Sequence, residues 1–264
     1  MLNSHDSAPP SGADEPAQDE ARFSLRDEGD RRGSRALRWT WETSRSLALA
    51  LLVVVLLRGF VVEAFKIPTG SMENTLLVGD FLIVNKAVYG AEIPGMGLQL
   101  LPPWDPLRGD VVVFHPPHDA GKHYVKRVVG IPGDTLEMRR KRLFVNGDSV
   151  AEPYVRHVDP TGDAVHPDMR WQLPFLVEDE EEPVRRRYRP SRDTWGPLVV
   201  PEDRYFVLGD SRDNSEDSRY WGFVERTSVR GQPLFVYYSF DPRAATPLSW
   251  MREIRWDRIG GRIR

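Results

Sequence analysis

The sequence predicts a mainly β, antiparallel body that follows one apolar helical segment. Two observations predict it. After residue 62 the chain passes through short β-prone runs: FLIVN (81–85), DVVVFH (110–115), YVKRVVG (124–130), LFVNG (143–147), YFVLG (205–209) and LFVYYS (234–239). Gly, Pro, Asn and Asp separate these runs, which is the punctuation of turns between strands. Before that point lies one continuous apolar run, SLALALLVVVLLRGFVV, from Ser46 to Val62.

The elements follow in order. Residues 1–37 read as a disordered tail, because Pro, Ser, Ala, Asp and Glu dominate and too little apolar surface is available to offset the entropy of ordering. The apolar run starts too late for a cleavable signal peptide. As a helix its 17 residues would extend about 26 Å at ~1.5 Å per residue, against a hydrocarbon core of ~30 Å. Residues 38–62 are therefore expected to be a single membrane anchor. Trp39 and Trp41 stand at its interface, and Arg58 is near enough to the end to snorkel out. Arg31, Arg32, Arg35, Arg38 and Arg45 precede the run, whereas Lys66 is the only cation between it and Lys86. The positive-inside rule keeps the N-terminus in the cytoplasm and exports residues 63–264. Within that exported part, 63–147 and 199–264 read as the core. Residues 148–198 read as a polar, Pro-rich surface insertion whose EDEEE (178–182) and RRR (185–187) runs form solvated loops.

Composition excludes several functions. With 36 basic and 39 acidic side chains the net charge is −3, which speaks against nucleic acid as a partner. No cysteine is present, so disulfides, thiolate metal sites and cysteine nucleophiles are ruled out. His115, His118 and His123 cluster in HPPHDAGKH, but the proline pair breaks any regular ligand face, and a polar loop between strands explains them better. Asp213 and Asp217 have calcium-loop spacing, yet Ser218 and Val224 occupy the positions that need Gly and an acid. No metal or organic cofactor is expected.

Serine and lysine remain as carriers of chemistry. Ser71 follows Gly70 in PTGSMENTL, directly after the apolar run, and needs a base to become nucleophilic. Only five of the basic residues are Lys: Lys66, Lys86, Lys122, Lys126 and Lys141. Lysine is the basic side chain able to lose its proton within a protein, given desolvation. Alternation along YVKRVVG puts Tyr124, Lys126 and Val128 on one face and Val125, Arg127 and Val129 on the other. Lys126 thus sits among bulky neighbours. Lys86 is its rival at the end of a strand, Lys122 belongs to a loop, and Lys141 belongs to a basic cluster. On pattern alone, pairing of Lys126 with a carboxylate stays open.

Four collinear blocks resemble the bacterial type I signal peptidases, membrane-anchored proteases with a Ser–Lys dyad. They are IPTGSMENTL (67–76), GDFLIVNKAVYG (79–90), RGDVVVFHPP with YVKRVVGIPGD (108–134), and GDSRDNSEDSRYWGFV (209–224). The resemblance implies Ser71 as nucleophile and Lys126 as general base. It implies Thr69, with the Ser71 N–H, as oxyanion donor, Ser215 as the residue orienting the lysine, and Asp217–Arg219 as a supporting ion pair. It further implies a signal-peptidase-like β body with an inserted second β lobe, acting on signal peptides of exported preproteins beside the lipid bilayer and the export machinery. Three positions depart from the usual pattern. Thr69 replaces a commoner serine, Asn74 a proline, which should loosen one turn, and Ser211 a frequent asparagine. The alternatives are a dedicated-substrate Ser–Lys processing protease and an inactive membrane-tethered paralogue that binds exported chains.

Overall fold

The structure, a computed structural model, describes residues 39, 41–54, 62–90, 104–160, 163–177, 187–244 and 248–263. The tail, Arg58 and the EDEEE run lie outside the described residues. The chain divides into two compact units, Met1–Leu56 and Leu57–Arg264. In the first, residues 41–54 are helical with exposed side chains. Among the described residues no helix is long and apolar enough to cross a membrane.

The second unit is mainly β. Its strands are β1 (Val62–Lys66), β2 (Asp80–Asn85), β3 (Val111–Phe114), β4 (Tyr124–Gly130), β5 (Thr135–Arg139), β6 (Arg142–Val145), β7 (Asp148–Ser149), β8 (Trp195–Val199), β9 (Arg204–Leu208), β10 (Val224–Glu225) and β11 (Val229–Ser239). Among the described residues, seven form one sheet in the order β1-β2-β11-β3-β4-β9-β10, and four form a second, β7-β6-β5-β8. Among the described residues, every strand pair in the two sheets is antiparallel.

Each of the six β-prone runs overlaps a strand. The second sheet begins at Thr135, ahead of the stretch read as an insertion, and the described residues between 150 and 194 contribute no strand to it. TLEMR is not among the β-prone runs, and its Leu, Glu and Met favour helices. Its alternation instead buries Leu136 and Met138 against Trp195 and Leu198. WGPLV falls largely within the stretch read as an insertion, but it forms β8: Gly196 has a φ of 84° and a Cβ there would lie 2.5 Å from the Leu136 carbonyl. Only glycine lets β8 approach β5 so closely.

Three apolar clusters fix the frame. One lies between the sheets around Phe206, Trp195 and Leu136. A second gathers Met72, Leu76, Leu82 and Val113, and a third gathers Val112, Phe114, Val128 and Val207. Alternate residues of β3 enter the last two clusters, so this central strand is buried on both faces. Met72 and Leu76 are almost wholly buried, and each contributes about 2 kcal/mol toward holding the turn around Ser71 onto the sheet.

Candidate active site

The site is assembled from three chain segments: the turn between β1 and β2, the middle of β4, and the loop after β9. The turn carries Ser71 and closes on itself through Glu73 N–H to Gly70 O (3.0 Å) and Leu76 N–H to Met72 O (2.7 Å). In β4, Lys126 pairs in register with Val112, and this central position removes its side chain from water. Lys126 is only 4% exposed. Its Nζ and Ser71 Oγ share a hydrogen bond of 2.6 Å. The amine donates in it when charged, and accepts the serine proton when neutral.

Burial is the main cause of a Lys126 pKa pulled down from 10.5 to about 8. The Asp217 carboxylate works against this shift and the Arg219 guanidinium works with it. Among the described residues no carboxylate lies within ion-pairing distance of Nζ. Asp217 does not serve because it is already engaged: Arg219 donates Nε to its Oδ1 (2.7 Å) and Nη2 to its Oδ2 (2.8 Å). Both partners are fully buried. Asp217 also accepts from Gly209 N–H (3.1 Å), and Arg219 reaches the carbonyls of Arg212 and Ser215. The ion pair therefore fastens the loop on which Ser215 sits.

Ser215 lines the same cleft and is buried, but its Oγ has no hydrogen-bond partner of good geometry and does not bond Lys126. It lies close enough to help hold the Asp217 carboxyl below its usual range. A Cβ on Gly209 would meet Ser215 Oγ at 2.2 Å and the Ser71 carbonyl at 2.4 Å. Residue 209 therefore has to be glycine for the loop to close on Ser71. Ser211 N–H donates to that same carbonyl (3.1 Å). Thr69 is exposed on the cleft wall.

The cleft has a volume of about 900 Å³ and is walled by Phe65, Ile67, Met72 and Tyr124 around the Ser71–Lys126 pair. A partly apolar cleft lined by a nucleophile and a shielded amine is suited to acyl transfer on an extended chain.

Sequence reasoning missed a second buried ion pair directly beside the first. Arg127, next to Lys126 but on the opposite face, donates Nε to Asp210 Oδ1 (2.9 Å) and Nη2 to Oδ2 (2.7 Å). Thr75 Oγ1 donates to Asp210 Oδ2 (2.5 Å), so the nucleophile turn, β4 and the last loop share one polar knot. In the sequence Arg127 lies in YVKRVVG and Asp210 in GDS, and neither run by itself names the other as partner. Two expectations change. Asn74 has a φ of 103°, which proline cannot adopt, and its Nδ2 donates to Tyr154 O (2.9 Å). The departure ties the turn down instead of loosening it. Lys141 does not lie in basic surroundings, since its Nζ bonds Asp213 (3.1 Å) and the Asp159 carbonyl (2.9 Å).

Comparisons of the sequence with known proteins point the same way. The family model described as "Signal peptidase, peptidase S26" matches residues 40–238. The chain belongs to the S26 signal peptidase family. A signal peptidase I of Pseudomonas aeruginosa is 41% identical over 216 residues, 76% of this chain and 74% of that protein. One of Pseudomonas fluorescens is 45% identical over 211 residues, 75% of this chain and 72% of that protein. The crystal structure of a signal peptidase I from Enterococcus faecalis is 32% identical, covers 49% of this chain and 97% of its own, and superposes with a TM-score of 0.32.

Proposed function

We propose that this chain is a membrane-bound serine endopeptidase that removes N-terminal signal peptides from exported preproteins, with Ser71 and Lys126 as its dyad. The observation that carries this reading is the 2.6 Å contact between Ser71 Oγ and a lysine amine that burial brings to about 8. Neutral Lys126 takes the Ser71 proton as Oγ bonds to the scissile carbonyl carbon. The Ser71 N–H and the Thr69 hydroxyl hold the resulting oxyanion, a contribution of ~3–4 kcal/mol. As the tetrahedral intermediate collapses, the C–N bond breaks and Lys126 gives its proton to the leaving amine. Water, deprotonated by the same lysine, then hydrolyses the ester and restores Ser71.

The Asp217–Arg219 pair supports the loop bearing Ser215, the residue assigned to orient the lysine amine. The arginine excess before residue 46 supports a cytoplasmic N-terminus, with the catalytic unit on the outer side of the cytoplasmic membrane beside the lipid bilayer and the export machinery. The test is cleavage of a preprotein with small residues at −1 and −3. Ser71→Ala and Lys126→Met each abolish cleavage while the protein stays folded. Near-normal activity of Lys126→Met overturns the dyad.

A further inference from the structure

The segment Glu152–Arg156, EPYVR, belongs to the polar stretch after the second sheet's hairpin and does not line the cleft, yet it touches all three chain segments that build the site. Its first contact is with the nucleophile turn. Asn74 Nδ2 donates to the Tyr154 carbonyl, and Arg156 Nη1 donates to Glu73 Oε2 (3.2 Å). Its second contact is with the buried arginine of β4, since the Tyr154 ring lies 3.8 Å from the Arg127 guanidinium carbon. A flat cation over an aromatic face is attracted by the ring's electrons and is shielded from water on that side.

The third contact is with the loop after β9. Arg156 N–H donates to Asp210 O (2.8 Å), and Arg212 N–H donates to Arg156 O (3.0 Å). These two bonds bracket Ser211, the residue whose own N–H holds the Ser71 carbonyl. Glu152 completes the seam. Arg212, 2% exposed, donates Nη2 to Glu152 Oε1 (2.5 Å) and Nη1 to Oε2 (3.0 Å). The segment is thus stitched on one side to residues 73–74 and on the other to 210–212, with Arg127 packed beneath it.

We infer that Glu152–Arg156 is a strap that sets Ser71 against Lys126, with Asn74 and Tyr154 as positioning residues outside the cleft. The inference rests on the dyad reading of Ser71 and Lys126. Its logic is geometric. Proton transfer between Oγ and Nζ depends steeply on their separation, and a misplacement near 1 Å costs about a hundredfold in rate. The turn that carries Ser71 is exposed at Asn74, and its backbone there holds a φ that only small or amide side chains tolerate. The bond to Tyr154 O keeps this exposed end from swinging.

Two variants of the full-length chain separate positioning from folding. Asn74→Gly accepts the positive φ and deletes only the bond to Tyr154 O. Tyr154→Ala deletes the ring over Arg127 and keeps the backbone carbonyl. Steady-state cleavage of a preprotein with small residues at −1 and −3 is measured from pH 6 to 10, beside Ser71→Ala. The strap predicts that kcat falls by about tenfold to a hundredfold in each variant. KM stays within about twofold, because the cleft walls are untouched. The lower pH limb stays near 8, because the surroundings of Lys126 are unchanged. If Tyr154→Ala fails to fold, Asn74→Gly alone decides. Wild-type kcat in folded Asn74→Gly overturns the strap, and so does a rise in KM with kcat preserved. Activity surviving in Ser71→Ala removes the dyad reading, and the strap falls with it by a separate, recognisable route.

Discussion

Lys126 and Lys141 occupy the same unit and meet opposite surroundings. Lys141 is 28% exposed and surrounded by oxygen: Asp213, the Asp159 carbonyl and, at 3.6 Å, Asp193. Asp213 in turn accepts from the N–H groups of Val158 and Asp159, both at 2.8 Å, which holds its carboxyl well below the usual range. Lys126 is nearly dry, and the buried carboxylate that acts on it most strongly is already taken by Arg219. One lysine has its charge satisfied and cements the structure. The other has its charge left uncompensated, which weakens the structure and makes the amine a base. The arginines explain how this is possible. Arg219 and Arg127 remain charged in any protein environment and occupy Asp217 and Asp210, so neither acid is left to fix a proton on Lys126.

The largest effect in this contrast belongs to the arginine that withholds Asp217. Arg219→Met leaves a fully buried carboxylate without its partner and costs about 3–5 kcal/mol, read as a fall in urea midpoint. A loss under 1 kcal/mol would mean that the pair is not what organises the loop. Next is Lys126→Met, which the contrast predicts to be stabilising. The folded pKa of about 8 lies below the 10.5 of a free lysine. Between those values the unfolded chain holds more protons than the folded one, so stability rises with pH across that window. Below pH 8 both states are protonated and the cost of burial is fully present. Removing the amine should then stabilise the fold by about 3 kcal/mol at pH 7, with the gain gone above pH 10.5. Smallest is Lys141→Met, which should destabilise by about 1–2 kcal/mol, because Asp213 keeps its two backbone donors. Its cleavage should keep the pH limb near 8. The sign difference between the two lysine variants is the point to check, by parallel unfolding curves at pH 7.

Much of the fold was legible because its strands carry β-branched runs between turn residues, as in DVVVFH and YVKRVVG. β1 escaped because VEAFK follows directly on the apolar run and reads as its end. β8 escaped because Gly and Pro in WGPLV argue against a strand unless a close neighbour is known to require the glycine. At the site, alternation placed Lys126 on a bulky face, and the structure confirms that face as buried. Ser71 stood out through Gly70 and through the family blocks. Arg127 was assigned to the other face, but a face assignment names no partner. Asp210 lies 83 residues away, and Thr75 belongs to a third segment. Tyr154 and Glu152 were unreadable for the same reason, because only the folded chain brings EPYVR beside the turn at Asn74. Asn74 is itself a signal for this turn, since asparagine is among the few residues at ease with positive φ.

The central claim is that Lys126 loses its proton within reach of physiological pH, and the chain's five lysines make it measurable. The protein, labelled with 13C at lysine Cε, is titrated by NMR from pH 6 to 11, with Lys126→Met identifying the resonance. The account predicts that the resonance missing from the variant titrates near 8 in the wild type. A midpoint for that resonance at or above the ordinary 10.5 would contradict it.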